Sequence, residues 1–243
     1  MSDVLIGSFL SALATGLGAL PILFLNTISH KWRDILLAFT AGIMMTASMM
    51  SLVPESLNTG GLLPLAAGMI LGVLTLTILE KNIPHIHVED TSVKIDIDEK
   101  AMLIIAAITL HNIPEGLSVG VSYSGEEGEL GNLVALAIGL QNAPEGFIVA
   151  LFLAHQHVPK LIALIIATMT GAIEIVTSLL GYFLTNYFSN LVPYGLAFAA
   201  GAMLFIIYKE LIPESHGDGH ERVATYSFIF GILSMITLIQ YFG

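Results

Sequence analysis

Apolar residues gather into eight runs along the chain, near residues 3 to 26, 34 to 54, 61 to 80, 101 to 123, 130 to 154, 160 to 185, 191 to 212 and 223 to 242, with polar connections between them. A helix needs about 20 mostly apolar residues to cross the hydrocarbon core of a bilayer. The pattern therefore predicts an all-α polytopic membrane protein of about eight transmembrane helices, a single membrane domain over residues 1–243 with one longer loop at 81 to 100. The first run is interrupted by Gly16, Gly18 and Pro21 and lacks both a basic leader and a small-residue cleavage site. It reads as a retained helix and not a removed signal. Composition agrees: 55% of the residues are hydrophobic and 11% charged, and the mean hydropathy is +0.85, too apolar for a soluble domain of this length. Cysteine is absent. That excludes disulfides and thiolate-held zinc, and leaves His, Asp, Glu, Asn, Gln and Met as metal ligands.

Basic residues collect in the loops that stay in the cytoplasm. Lys31 and Arg33 follow the first helix, Lys81, Lys94 and Lys100 lie between the third and fourth, Lys160 follows the fifth, and Lys209 and Arg222 flank the connection from the seventh to the eighth. All of these fall on one side. The other side holds the two termini, Asn58 to Gly60, Ser124 to Glu129 and Asn186 to Asn190, with no Lys or Arg and with Glu126, Glu127 and Glu129. Both termini are thus expected outside. A formal charge of −11 makes the chain a poor candidate for binding nucleic acid.

Compared with itself, the chain shows two echoes. AFTAGIMMTASMMSLVPES at 38 to 56 matches AFAAGAMLFIIYKELIPES at 197 to 215 in nine of nineteen positions, including a shared Pro-Glu-Ser ending. The copies lie on the second and seventh helices, which run through the bilayer in opposite directions, so the pattern is an inverted repeat. Helices 1 to 3 would mirror helices 6 to 8 around a central pair formed by helices 4 and 5. That pair carries the second echo, HNIPEGLSVGV at 111 to 121 against QNAPEGFIVAL at 141 to 151.

Each central motif sits inside its apolar run, where a charged side chain costs several kcal/mol unless partnered or hydrated. Residues three and four apart share a helix face. Glu115 is thereby set beside His111 and Asn112, and Glu145 beside Gln141 and Asn142. Pro114 and Pro144 lack an N–H, which frees the carbonyls of Leu110 and Leu140 and bends the helices. Gly116 and Gly146, with Ser118 and Gly120, permit close helix approach. Glu174 is a third carboxylate, in the middle of the sixth run among apolar residues, Gly, Thr and Ser. Three carboxylates and one imidazole converging without a counterion would repel one another, whereas one or two divalent ions would neutralise most of the charge with the same oxygens as ligands. The alternative is that these groups only hydrogen-bond helices together.

HNxPEG followed thirty residues later by QNAPEG resembles the paired signature of the ZIP (Zrt/Irt-like) metal transporters, particularly the compact prokaryotic ones. Eight helices, outside termini, a His-bearing loop between helices 3 and 4 and Pro-Glu-Ser-His after helix 7 are similar to that family too. The resemblance implies a divalent transition metal as substrate, Zn²⁺ first and Cd²⁺, Fe²⁺ or Mn²⁺ as options, moved into the cytoplasm across the plasma (cell inner) membrane. It implies two ions per protomer. One would be held by His111, Glu115, Gln141 and Glu145, the other by Asn112, Glu115, Asn142, Glu145 and Glu174, with the two motif glutamates bridging. Met44 is at the level of helix 2 that the family places beside the first metal, where a thioether would suit softer ions. Gln141 departs from the pattern, since many members have a second His there, and an amide is the weaker ligand.

Of eight histidines, His111 alone lies deep in an apolar run. His30, His85, His87, His155, His157, His216 and His220 map to the cytoplasmic face. PHIHVED at 84 to 90 and PESHGDGHE at 213 to 221 mix His with carboxylates at spacings suited to transient metal binding. His85, His87, Glu214, His216 and His220 are therefore candidate exit residues, and Glu55, the counterpart of Glu214, is a candidate for the outer mouth. The expected partners are divalent metal ions and the lipid bilayer, with a homodimer as a further option. An inverted repeat around a midplane site suits alternating access. The competing class is an intramembrane metal-dependent hydrolase, because a metal beside carboxylates also activates water. The spans contain neither an HExxH pair nor a Ser/His nucleophile arrangement, so no enzyme is expected.

Overall fold

The computed structural model describes residues 1–25, 27–82, 97–124, 129–217 and 219–242. Helices α1 (Ser2–Leu23), α2 (His30–Gly60) and α3 (Leu62–Lys81) are followed by α4 (Ile97–Ser122). Then come α5 (Glu129–His155), α6 (Lys160–Tyr187), α7 (Ser189–Glu214) and α8 (Glu221–Phe242). Among the described residues there is no strand. Seven of the eight helices, all but α4, are long and apolar enough to cross a membrane on their described residues. At 26 residues, α4 has the length as well. The chain is an all-α polytopic membrane protein.

Local chemistry sets the ends and irregularities. Pro21 tightens the last turn of α1 into a 3-10 segment, Leu20–Leu23. Gly61, at φ +77°, reverses the chain between α2 and α3 in a conformation that a Cβ would strain. Within α2 and α7 the helix widens into a π turn, at Ser48–Leu52 and at Ile207–Leu211. Each π turn ends two residues before a proline, Pro54 or Pro213. A proline ring clashes with the carbonyl four residues back and gives it no N–H, and a π bulge relieves both problems. The register that pairs residue 38 with 197 superposes these two π turns residue for residue.

Packing follows the same register. α1 lies along α5 as α6 lies along α4, and α2 lies along α8 as α7 lies along α3. A Cβ on Gly231 of α8 would strike the carbonyl of Phe39 on α2, and a Cβ on Gly72 of α3 would strike the carbonyl of Phe198 on α7. Gly72 and Gly231 are counterparts, as are Phe39 and Phe198. In the centre, Gly116 of α4 seats the backbone of Glu174 on α6, and Gly146 of α5 seats the backbone of Thr15 on α1. Thr15 and Glu174 are counterparts as well. The helices thus form two groups, α1/α4/α5/α6 and α2/α3/α7/α8. In its most apolar window α8 is 17% buried and α3 22%, against 67% for α2, so α3 and α8 turn apolar faces outward to lipid while α2 meets the central helices.

Candidate metal site in the central helices

α4 and α5 each present one turn of polar side chains to a common interior. Glu115 and Gln141 are fully buried, Asn142 and Glu174 are 1% exposed and Asn112 is 2% exposed, while His111 and Glu145 are partly buried. Hydrogen bonds join them. Gln141 Nε2 donates to Glu115 Oε1 at 2.6 Å, and Asn142 Nδ2 donates to Glu174 Oε1 at 2.8 Å. Glu174 Oε2 accepts from Ser11 Oγ of α1 at 2.7 Å. Asn112 Nδ2 donates to the Thr170 carbonyl of α6 at 2.7 Å, and its counterpart Asn142 Nδ2 to the Ser11 carbonyl at 3.2 Å. Thr170 and Ser11 are counterparts too. The electrostatic neighbours of Glu115 are Glu145 and Glu174, so the three carboxylates do converge.

The acceptor side of this network is unfilled. Glu115 Oε2, Gln141 Oε1 and Asn142 Oδ1 are buried without a hydrogen-bond partner. Each such orphan costs about 1–3 kcal/mol, and three together on neighbouring turns are a donor set of hard oxygens for a cation. Among the described residues, no three His, Asp or Glu side chains stand together as a ready coordination sphere; the amides are part of what makes the cluster. His111 is turned elsewhere: its Nε2 lies 2.8 Å from Glu210 Oε2 on α7. Met44 is fully buried in an apolar cluster shared with Val119, Ile138 and Met203.

His111 precedes Glu115 on α4, so Glu210 lies on the side of Glu115 toward the start of α4. Past the other side of Glu115, where α4 ends and α5 begins, lies a cavity of about 750 Å³ lined by Glu55, Thr59, Ser122, Ser124, Glu129 and Asn190. At the opposite end of the molecule His220 Nδ1 lies 3.2 Å from Asp34 Oδ2 of α2, and Asp34 is fully buried. His216 Nδ1 stands 3.0 Å from both the Ile212 carbonyl and Ser215 Oγ. Glu214 closes α7 and is, with Glu210 and Glu145, an electrostatic neighbour of His111. His85 and His87 lie outside the described residues. Sequence reasoning missed Ser11, Asp34 and Glu210. Glu210 had a signal, a carboxylate inside the apolar run from 191 to 212. Its neighbour Lys209 pairs instead with Glu80 of α3 and lies 5.3 Å from the ring centroid of Phe205 on its own helix.

An outward apolar surface around buried carboxylates and amides defines the class as an integral membrane protein with a charged interior, and comparison with known proteins narrows it to metal-ion transporters. The chain belongs to the ZIP zinc transporter family, whose model matches residues 85–239. It is 38% identical to the zinc transporter GufA of Myxococcus xanthus over the full length of both chains. Over 93% of this chain and 76% of the relative it is 34% identical to the zinc transporter ZIPB of Bordetella bronchiseptica. The zinc transporter ZupT of an Enterobacter species is 32% identical, covering 100% of this chain and 99% of its own. These relatives are transporters and not enzymes, and the hydrolase alternative gains nothing from them.

Proposed function

We propose that this chain moves divalent transition-metal ions, Zn²⁺ foremost, into the cytoplasm across the plasma membrane, through a two-ion site held by His111, Asn112, Glu115, Gln141, Asn142, Glu145 and Glu174, with Met44 at its edge. The observation that carries this reading is the set of buried acceptors on Glu115, Gln141 and Asn142 that lack hydrogen-bond partners. The zinc transporters among its relatives support Zn²⁺ as the ion, and the inward direction rests on the resemblance of the paired motifs. Glu55 and the outer cavity receive the ion. Glu210, Glu214, His216, His220 with Asp34, and the loop histidines His85 and His87 take it onward. The whole chain acts as one transporter domain, with both termini outside and no nucleic-acid partner; a homodimer is a further option.

The division into two helix groups suits alternating access. Every ligand named above except Met44 rides on α4, α5 and α6, within one group, so the site travels as a unit when the groups shift. His111 makes a polar tie between the groups, its Nε2 contacting Glu210 of the other one. A metal that takes His111 Nε2 replaces the direct contact with Glu210, which is how binding would be coupled to motion. The repeat counterparts of His111 and Glu210 are Gln141 and Ser51, so the mirrored state has no charged tie and is left more easily.

Transport is tested with purified protein in zinc-impermeable liposomes that enclose a fluorescent zinc indicator. Wild-type protein should give a saturable signal, and Glu145→Ala should reduce it by about tenfold or more. If no divalent metal produces a protein-dependent signal, the transporter reading is wrong.

A further inference from the structure

A Ser or Thr hydroxyl in a helix ordinarily donates back to the carbonyl three or four residues earlier. Thr170 does so, with Oγ1 donating to the Ala167 carbonyl at 2.8 Å, and Thr46, Thr109 and Thr177 do the same on α2, α4 and α6. Ser11 is the counterpart of Thr170 on α1 and behaves differently. Its hydroxyl leaves its own helix, donates to Glu174 Oε2 at 2.7 Å and accepts from Asn142 Nδ2 at 3.3 Å. That Asn142 amide also reaches the Ser11 carbonyl at 3.2 Å and Glu174 Oε1 at 2.8 Å. One amide hydrogen is thus committed to Glu174 and the other is shared between the two Ser11 oxygens. The shared part of the pattern, an Asn amide on a helix carbonyl, recurs at Asn112 and Thr170. The hydroxyl-to-carboxylate bond belongs only to the half where Glu174 stands in place of Thr15.

We propose that Ser11 is a positioning residue of the metal site, acting through Glu174 and Asn142. The inference rests on the metal-site reading above. With a donor on each Glu174 oxygen, the carboxylate is held in one orientation. With both Asn142 amide hydrogens engaged on the Ser11 and Glu174 side, Asn142 Oδ1 must face the other way, into the interior where it has no hydrogen-bond partner. Ser11 also lines a groove of about 790 Å³ between α1, α5 and α8, together with Leu10, Leu136, Leu140 and Ala143 and the polar Tyr123 and Asn132. Outer-shell hydrogen bonds of this kind orient metal ligands, and their loss typically costs 10–100-fold in metal affinity.

Ser11→Thr and Ser11→Val are nearly equal in shape and differ by the hydroxyl, and Thr is what α6 carries at the counterpart position. Purified variants are dialysed against buffered Zn²⁺, bound metal is counted by elemental analysis, and melting is followed without metal. Ser11→Thr should keep wild-type affinity within about threefold, while Ser11→Val should lose about 10–100-fold for the ion on the Glu174 side and melt with Ser11→Thr when metal-free. In flux measurements Ser11→Val should raise the half-saturating Zn²⁺ concentration. Ser11→Ala, the smaller deletion, should bind as Ser11→Val does. Equal Zn²⁺ affinity in the Thr and Val variants overturns the proposal. Glu145→Ala separates the two ideas. If it binds Zn²⁺ as wild type does, the metal-site reading fails; if it loses Zn²⁺ while Thr and Val bind alike, only the role of Ser11 fails.

Discussion

Glu174 is where the two halves of the molecule stop matching, because its counterpart on α1 is Thr15. A carboxylate on one half alone makes the site lopsided. The Asn142 amide donates to the Glu174 carboxylate, whereas the Asn112 amide donates to a helix carbonyl. If two ions bind, the one that depends on Glu174 should be lost first. Glu174→Ala should therefore lower the Zn²⁺ bound per protomer from about two toward one, with occupancy kept near His111; an unchanged count by elemental analysis would remove Glu174 from the site. Gln141 follows the same logic at smaller scale. Its amide gives Nε2 to Glu115 and keeps Oε1 free, two tasks at once, while an imidazole has one nitrogen to donate and one to ligate. The residues legible in advance were those whose charge or amide is costly at membrane depth: His111, Asn112, Glu115, Gln141, Asn142, Glu145 and Glu174. Ser11 was invisible, since a serine in a helix is ordinarily satisfied by its own backbone. Glu210 was hidden by Lys209, whose basic charge reads as the edge of the membrane.

Among the helices, the repeat could be read because Pro-Glu-Ser endings do not recur by apolar composition alone, and its register turned out to order the contacts as well. The π turns could not be read, since nothing in SMMSL or IYKEL distinguishes a five-residue turn from a four-residue one; they follow from the proline two residues on and from what α2 and α7 must pack against. The same register makes a quantitative statement about two distant glycines. Gly72 and Gly231 each meet a carbonyl of the partner helix, those of Phe198 and Phe39, and backbone cannot swing aside as a side chain can. Gly72→Ala and Gly231→Ala should each destabilise by about 1–3 kcal/mol through overpacking, and by nearly the same amount. Gly217→Ala, with nothing within 4 Å of its Cβ, should stay within about 0.5 kcal/mol. Thermal unfolding in detergent measures all three. Tolerance of alanine at either helix crossing would mean that the two pairs are not equivalent.

For the whole molecule, the arrangement of charge and the arrangement of the site point the same way through the bilayer. Every Lys and Arg falls on one side of the predicted crossings, and that is the side toward which His111 and Glu210 lie from Glu115. The cavity lined by Glu55 and Glu129 opens on the other side, which has acidic residues and no basic ones, a charge pattern that would attract cations. An ion would pass from an acidic vestibule, through the buried acceptors, to the side on which the sequence places the peripheral histidines. Orientation is the assumption on which that path depends, and the chain is well suited to testing it because it contains no cysteine. Ser124→Cys sits at the end of α4 beside the acidic cavity, and Ser92→Cys falls in the loop between α3 and α4. In intact cells a membrane-impermeant thiol reagent should label Ser124→Cys and spare Ser92→Cys until the membrane is permeabilised. Labelling of both from outside would break the topology, and labelling of Ser92→Cys alone would invert it. In the inverted case the cavity at Glu55 would become the cytoplasmic mouth, and the His111 to Glu210 contact would close the outer side instead.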